Sequence, residues 1–331
     1  MKKNKNYISY SDGIRAAKKY CLKNYKNFII LGQGVTSPWY VGSTMTDLDK
    51  DFSKRVIETP VSESSSTSIA FGASLVGVKS LIVHPRMDFM LYAMDSIVNH
   101  ISKWSLMFGE KIKSPVTIRA IINRGNEQGA QHSQSLHSWF MHIPGLKIVM
   151  PSSANNARDL LISSIISNDP VIFIDDRWLY ECTEVKRKIK IYDLNKYENK
   201  KIVNGKDITI ISTGYCTRIS NEAIKILNEK YSIFPELIDI SLLSNLPINI
   251  IEKSLKKTGK ILCIEGGWEV CSLSSEVFSK LFVRKNNFKK DIVASKINLF
   301  NSAAPASSKL EKHYYPNRNN IIKKVLNIIN K

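Results

Sequence analysis

The chain has 331 residues, a formal net charge of +19, 43% hydrophobic residues and 23% charged residues. This composition is typical of a globular protein with two domains, and it excludes a wholly disordered, collagen-like or repeat-array chain. The basic residues are scattered along the sequence rather than clustered. The charge therefore favours a positive surface that attracts acidic partners or phosphorylated ligands, and it argues against a dedicated nucleic-acid-binding function.

The cysteines and the apolar runs bear on the location of the protein. Five cysteines, an odd number without a Cys-x-x-Cys pair, are typical of a reducing compartment rather than of a disulfide framework or a zinc site. No apolar signal region follows the basic start Met1-Lys2-Lys3, and no apolar run approaches the length of a membrane span. We therefore expect a cytoplasmic protein that does not cross a membrane.

Apolar runs of strand length alternate with amphipathic stretches in the first part of the chain. Continuous apolar runs bounded by turn residues indicate buried parallel strands, and apolar residues at helical spacing indicate helices. The strands are predicted over residues 28–31, 80–83, 116–122, 147–150 and 171–174. The helices are predicted over residues 9–24, 67–76, 90–104 and 154–166, and the first has Ser11 or Asp12 as its N-cap.

The stretch from residue 183 to residue 207 is charged and lacks an apolar period, which indicates a connection between domains. A second series of elements follows, with strands predicted over 207–212, 235–240 and 260–264 and helices over 221–230, 248–257 and 320–330. The sequence therefore predicts an α/β fold with two domains, each a mostly parallel sheet flanked by helices. The first domain is predicted over 1–185 and the second over 206–331, with a linker at 186–205. Ligands of such folds bind at the carboxyl ends of strands.

Several familiar motifs are absent from the sequence. Gly32-Gln33-Gly34 follows a predicted strand, but the sixth position of a GxGxxG pattern is Ser37 and no clear helix opens behind it. The chain has no GxxxxGK[ST] loop and no GxSxG nucleophile elbow. His132, His137 and His142 are five residues apart, and a five-residue step on a helix turns about 140° away from the starting face. We therefore expect no metal site on these histidines.

Two polar segments are left unexplained by packing. Thr59-Pro60-Val61-Ser62-Glu63 places one carboxylate just before a predicted helix with the small residues Ala70, Gly72 and Ala73, which we interpret as close packing. A lone Glu at a helix start is often only a favourable contact with the helix dipole. The second segment, GAQHSQS at 129–135, surrounds His132 with polar side chains. A histidine in such a cluster is more often hydrogen-bonded than catalytic, so each segment alone leaves both interpretations open.

Together and in this order, the segments resemble a known family. The runs RVIETPVSE, DFMLYAMDSIVN, GAQHSQS and HIPGLKIVMP, followed by EGGW at 265–268, are similar to the β subunit of thiamine diphosphate-dependent 2-oxo acid dehydrogenases. These are the E1 components of the pyruvate, branched-chain and acetoin dehydrogenases. The resemblance covers about residues 9–330. It implies a transketolase-like pyrimidine-binding domain followed by a transketolase C-terminal domain.

The resemblance implies a role for several residues toward thiamine diphosphate. Glu63 matches the glutamate that bonds N1′ of the pyrimidine, and His132 matches the active-site histidine near the reacting carbon. Phe89 matches the aromatic side chain that packs on the pyrimidine ring. Ser62 and Gln33 are further cofactor-binding candidates, and Gln131 and Ser133 are candidates for orienting His132. The implied catalytic residues are thus Glu63 and His132, and the implied cofactor-binding residues are Glu63, Phe89, Ser62 and Gln33.

The resemblance also implies partners, because half of the cofactor site is missing from this sequence. Family α subunits hold the diphosphate and Mg²⁺ with a GDG…N motif, which this chain lacks. We therefore expect an E1 α-type subunit, an α₂β₂ heterotetramer with a β–β contact, K⁺ as a further ion and a lipoyl acyltransferase as acceptor. Two alternatives stay open: an E1-like carboligase that adds the acyl unit to an aldehyde or ketone, and a non-catalytic partner subunit.

The sequence departs from the family at two places near the expected site. Gln33-Gly34 stands where the family has an acidic pair, so a charge near the cofactor is missing. The stretch His84-Pro85-Arg86-Met87-Asp88 replaces the usual Glu-Phe-Met-Thr-Phe. We expect Arg86 and His84 to bring positive or titratable charge to the substrate channel. These departures leave the identity of the 2-oxo acid open.

Overall fold

A computed structural model describes residues 6–288 and 291–330. The start Met1-Lys2-Lys3 lies outside the described residues. The chain divides into two compact units, one made of residues up to 124 together with 131–197, the other of 125–130 together with 198–331. The six residues 125–130 are grouped with the second unit in this division.

The first unit is built from eight strands and seven α-helices among its described residues. The strands are β1 (Tyr7–Ser9), β2 (Phe28–Gly32), β3 (Val56–Glu58), β4 (Lys79–His84), β5 (Val116–Ile122), β6 (Lys147–Val149), β7 (Val171–Asp176) and β8 (Thr183–Val185). The helices are α1 (Tyr10–Asn24), α2 (Tyr40–Ser43), α3 (Leu48–Asp51), α4 (Glu63–Leu75), α5 (Trp104–Met107), α6 (His137–Met141) and α7 (Ala154–Ile166). Six strands form one parallel sheet in the order β3-β2-β4-β5-β7-β6, and β1 pairs antiparallel with β8.

The predicted strands and helices of this unit are confirmed, with three differences. The N-cap of α1 is Ser9, whose Oγ accepts from the backbone N of Asp12, so Ser11 and Asp12 were wrong as N-caps. Helix α4 begins at Glu63 rather than 67. The predicted helix 90–104 is instead a 3₁₀ turn at Phe89–Ala93, a π-helical turn at Ser96–Ile101 and the start of α5. Apolar spacing predicts a helix but does not fix its pitch.

The second unit contains a five-stranded sheet. Its strands are β9 (Lys200–Val203), β10 (Ile208–Ser212), β11 (Pro235–Asp239), β12 (Lys260–Trp268) and β13 (Val293–Leu299). Its helices are α8 (Tyr215–Tyr231), α9 (Ile248–Thr258), α10 (Leu273–Val283), α11 (Ser308–Tyr314) and α12 (Arg318–Ile329). The order is β13-β12-β10-β11-β9, and β9 alone runs antiparallel to its neighbour.

The region predicted as a linker carries structure of its own. Strand β9 lies within 186–205 and extends the second sheet. The guanidinium of Arg158 on α7 donates to the carbonyls of Arg187 and Lys188, which ties the start of this region to the first unit. The charged composition of residues 183–207 reflects an exposed edge strand and surface chain, because edge strands are commonly charged. The domain boundaries at 185 and 206 stay predictions.

Within residues 6–288 and 291–330, no helix is both long and apolar enough to cross a bilayer.

Candidate functional site

The carboxyl edge of the six-stranded sheet gathers four of the predicted site residues. Gln33 follows β2, Glu63 follows β3 after a short loop, and Phe89 follows β4. His132 lies in the polar segment between β5 and α6. Parallel strands bring their following loops to the same edge, which is why residues far apart in sequence can share this place.

Glu63 is a buried carboxylate with one hydrogen bond from a neighbouring loop. The residue is 7% exposed, and its Oε1 accepts from Nε2 of Gln33 at 2.9 Å. Among the described residues, no hydrogen bond to its Oε2 is found. Glu63 is the first residue of the 13-residue helix α4, and the N-terminus of a helix favours a negative charge. The arrangement holds the carboxylate in place and leaves one oxygen for a ligand.

The loop that carries Gln33 is held by the neighbouring strands. Gly32 lies so close to β4 that a Cβ there would meet the carbonyl oxygen of Val83 at 2.4 Å, so a side chain does not fit. Glu58, at the end of β3, accepts from the backbone N of Gly34 at 2.5 Å and from N and Oγ1 of Thr36 at 2.8 and 2.9 Å. A carboxylate therefore lies on this loop although the loop has no acidic pair of its own.

The rings of Phe89 and His132 meet edge to face. Their centroids are 5.3 Å apart with planes at 79°, a favourable geometry for an aromatic pair. Both residues are half-buried. The contact confirms that the segments after β4 and β5 come together, and it places an imidazole beside an aromatic surface.

The residues that hold the His132 segment differ from those predicted. In the described part of the chain, neither Gln131, which is exposed, nor Ser133 makes a hydrogen bond to His132, and the buried Oγ of Ser133 has no partner. Gln134 makes the connection instead: its backbone N and its Nε2 both donate to Oδ1 of Asp88, at 3.1 and 2.9 Å. Sequence reasoning missed Asp88, although a lone Asp between the apolar Met87 and Phe89 was a visible signal.

Of the two residues expected to bring charge to the substrate channel, His84 departs from the expectation, and the expectation for Arg86 stays a prediction. His84 is 2% exposed, and its Nε2 lies 3.2 Å from Oγ1 of Thr67 on α4. Burial lowers the pKa of His84 to about 4, so the ring is neutral at neutral pH and supplies no switchable charge there. Arg86 is half-buried, and burial together with the positive charge of Arg177 lowers its pKa.

Three further predictions concern Ser62, the small residues of α4 and the evenly spaced histidines. Ser62 is the N-cap residue of α4 but makes no capping bond with its side chain. Ala70 is buried, as close packing requires, whereas a Cβ on Gly72 would meet nothing within 4 Å, so the packing interpretation was wrong for Gly72. His132, His137 and His142 do not converge: within the described ranges, no three His, Cys, Asp or Glu side chains are grouped to hold a metal ion.

The EGGW segment lies in the second unit and serves its fold. Glu265 is buried and accepts from the backbone N of Ser274 at 2.8 Å, from its Oγ, and from the backbone N of Leu273 at 3.3 Å. These bonds satisfy the free N–H groups at the start of α10. Nε1 of Trp268 donates to the carbonyl of Ser302 at 2.8 Å.

Comparison with family models matches both units. The model described as "Transketolase, pyrimidine binding domain" matches residues 6–183, and the model described as "Transketolase, C-terminal domain" matches residues 198–321. Together they account for most of the chain and for the order of the two units.

Curated proteins similar to this chain are β subunits. The "Acetoin:2,6-dichlorophenolindophenol oxidoreductase subunit beta" of Bacillus subtilis (strain 168) is 30% identical over an alignment of 336 positions that covers 97% of each chain. The "Pyruvate dehydrogenase E1 component subunit beta" of Porphyra purpurea is 31% identical over 96% of each chain. Among solved structures, a "Split gene transketolase, inactive beta4 tetramer" superimposes with a TM-score of 0.79 at 19% identity over 98% of each chain, which supports the fold alone.

Proposed function

The chain belongs to the family of β subunits of thiamine diphosphate-dependent 2-oxo acid dehydrogenases, and we propose that it supplies the pyrimidine-binding half of such an active site. The enzyme decarboxylates a 2-oxo acid such as pyruvate and passes the acyl unit to an acceptor. One observation carries this proposal: Gln33 bonds one oxygen of the buried Glu63 carboxylate, and the other oxygen is left open at the carboxyl edge of the sheet.

The polar atoms at this edge fit an aminopyrimidine ring. A ring nitrogen that shares a proton needs an anionic acceptor in a protected place, and Oε2 of Glu63 is such an acceptor. Gln33 holds Oε1, so the carboxylate cannot rotate freely away from the ring. Ser62 precedes Glu63 in the same turn and is proposed as a further contact.

Phe89 and His132 are proposed to serve the reacting side of the site. The ring of the half-buried Phe89 would pack against the pyrimidine, since offset stacking is favourable for aromatic rings. Thiamine diphosphate, when bound, supplies the carbon nucleophile and the electron sink for decarboxylation. The imidazole of His132 would move a proton to or from the oxygen of the reacting carbonyl, since an imidazole can both donate and accept a proton.

The other half of the cofactor site is proposed to lie on an E1 α-type subunit. This chain has no GDG…N motif for the diphosphate and Mg²⁺, so we assign both to that subunit in an α₂β₂ heterotetramer. K⁺ on backbone carbonyls of this chain and a lipoyl acyltransferase as acceptor are finer parts of the same proposal. A cytoplasmic location also stays a proposal, which cell fractionation tests.

Reconstitution tests the function and its alternatives. The chain is co-expressed with the α-type subunit that co-purifies with it, and release of carbon dioxide from pyruvate and branched 2-oxo acids is measured with thiamine diphosphate and Mg²⁺. We expect release only from the pair, with the acyl unit recovered on a lipoyl domain. Recovery on an added aldehyde instead identifies a carboligase. A pair that binds the cofactor but releases no carbon dioxide from any 2-oxo acid contradicts the proposal and favours the non-catalytic subunit.

A further inference from the structure

Two loops at the candidate site are joined by hydrogen bonds at adjacent positions. The segment after β4 and the segment after residue 130 meet where Oδ1 of Asp88 accepts twice from Gln134, and where the backbone N of Leu136 lies 3.3 Å from Sδ of Met87. The first segment is itself fixed to the sheet, because the backbone N of Met87 donates to the carbonyl of Ile121 at 2.8 Å. The anchoring therefore runs from β5 through Met87 and Asp88 to the histidine segment.

Burial of the Asp88 carboxylate opposes folding. It is 6% exposed, and its Oδ2 is buried with no partner in the described part of the chain. Burial raises the pKa of the Asp88 carboxyl, while the bonds from Gln134 act against that shift. A buried oxygen without a partner opposes folding, so the two hydrogen bonds accepted by Oδ1 have to offset this cost.

The position of Asp88 links the two rings of the site. Asp88 is the residue before Phe89, and its partner Gln134 lies two residues after His132. Oδ1 of Asp88 accepts from both the backbone and the side chain of Gln134, which fixes the segment His132–Gln134 at its end. The rings of Phe89 and His132, in edge-to-face contact at 5.3 Å, are thus close in sequence to the two bonded residues.

We propose that Asp88 is a positioning residue, which holds His132 against Phe89 by clamping Gln134. This inference rests on the proposed function for the role of His132, but the clamp itself is a property of this chain alone. Oδ1 is the atom that acts, through acceptance of two hydrogen bonds, and the charge on Asp88 is not needed for it.

The proposal is tested with two substitutions at one position and a matched control elsewhere. Asp88→Ala removes the acceptor, and Asp88→Asn keeps an oxygen where Oδ1 lies. Ile118→Val, in the buried centre of β5, removes one methyl group from the core without touching the loops. Hydrogen exchange of the Gln134 amide is measured on the full chain without its partner, and kcat and KM are measured on the reconstituted pair.

We expect Asp88→Ala to speed exchange of the Gln134 amide at least about tenfold and to lower kcat about tenfold to a hundredfold, since small misplacements of reacting groups have effects of this size. Asp88→Asn recovers most of both quantities, and Ile118→Val changes neither by more than about twofold. Unchanged exchange in Asp88→Ala, or an Asn variant as impaired as the Ala variant, overturns the clamp. A wild-type pair without activity overturns the proposed function instead, because the exchange measurement does not depend on turnover.

Discussion

The carboxyl edges of the two sheets carry carboxylates in very different states. In the first unit, Glu63 and Asp88 each have an oxygen for which the described residues offer no partner. In the second unit, Asp239 accepts from Oγ1 of Thr217 at 2.9 Å and from Oγ of Ser241 at 2.8 Å. Glu265 accepts from the first turn of α10 with both oxygens.

The two units have the same architecture but differ in how these buried carboxylates are hydrogen-bonded. Both units are α/β layers with mostly parallel sheets, so the fold alone directs polar residues to both edges. Buried acceptors that are fully bonded stabilise the fold, whereas buried acceptors left open oppose folding and are retained where a ligand completes them. Among these four carboxylates, the two with an open oxygen lie in the first unit, where the proposed function places the cofactor.

The largest effect is expected at the open carboxylate of the first unit. Glu63→Gln replaces the anionic acceptor by a neutral amide, so it should lower decarboxylation by the reconstituted pair about a thousandfold, which is about 4 kcal/mol of transition-state stabilisation. Urea unfolding should change little, because the residue opens onto the site. Thousandfold loss accompanied by equal loss of folded protein would instead make Glu63 structural.

The next effect concerns the pH dependence of stability in the same unit. Burial holds the pKa of His84 at about 4, below its usual value of 6.5. The unfolded chain therefore takes up a proton that the folded chain does not, so His84 contributes stability above pH 6.5 that is lost as the pH falls toward 4. The loss reaches about 3 kcal/mol. Urea unfolding between pH 7.5 and pH 4.5 should be less pH-dependent in His84→Asn than in the wild type, and parallel curves would contradict the burial argument.

A smaller effect is expected at Glu265, the carboxylate of the second unit that accepts hydrogen bonds with both oxygens. Glu265→Gln retains one acceptor oxygen but forces a donor against the N–H groups at the start of α10, which should lower the free energy of unfolding by about 2 kcal/mol. The kcat of the folded pair should stay within about twofold, since no reacting group is touched. A loss of kcat in fully folded protein would remove the distinction between the two edges.

The smallest effect is expected at Glu58, which braces the loop of Gln33. Glu58→Ala removes the acceptor for Gly34 and Thr36, so exchange of these two amides should become faster. Activity of the pair should fall about fivefold, because each lost hydrogen bond corresponds to about 1 kcal/mol. Lys54→Ala, an exposed neighbour on the approach to β3, is the control, and an equal fall there would point to a general disturbance of the strand.

The elements that were predicted with correct bounds are buried along nearly their whole length. Strand β5 and helix α7 were predicted with the bounds that the structure gives, and nearly all their residues are buried. Strand β9 and strand β13 were missed, since edge strands carry charged and mixed residues that do not alternate cleanly.

The candidate site was predicted through resemblance rather than through pattern. Glu63, Phe89 and His132 were found because their neighbours spell long family motifs, and their roles stay predictions. Asp88 and Glu58 were missed because their importance comes from partners 46 and 24 residues away along the chain. No local period encodes such a pairing; it emerges only when parallel strands bring their carboxyl ends together.

Calorimetric titration of thiamine diphosphate with Mg²⁺ tests the central claim most directly. The titration is done with this chain alone, with its α-type partner alone and with the reconstituted pair. The account predicts binding in the micromolar range by the pair only. The heat of cofactor binding should be absent from the Glu63→Gln pair and unchanged in the Glu265→Gln pair. Equally tight binding by this chain alone, or by a pair carrying Glu63→Gln, would contradict the claim that the open edge of the first unit is one half of a shared cofactor site.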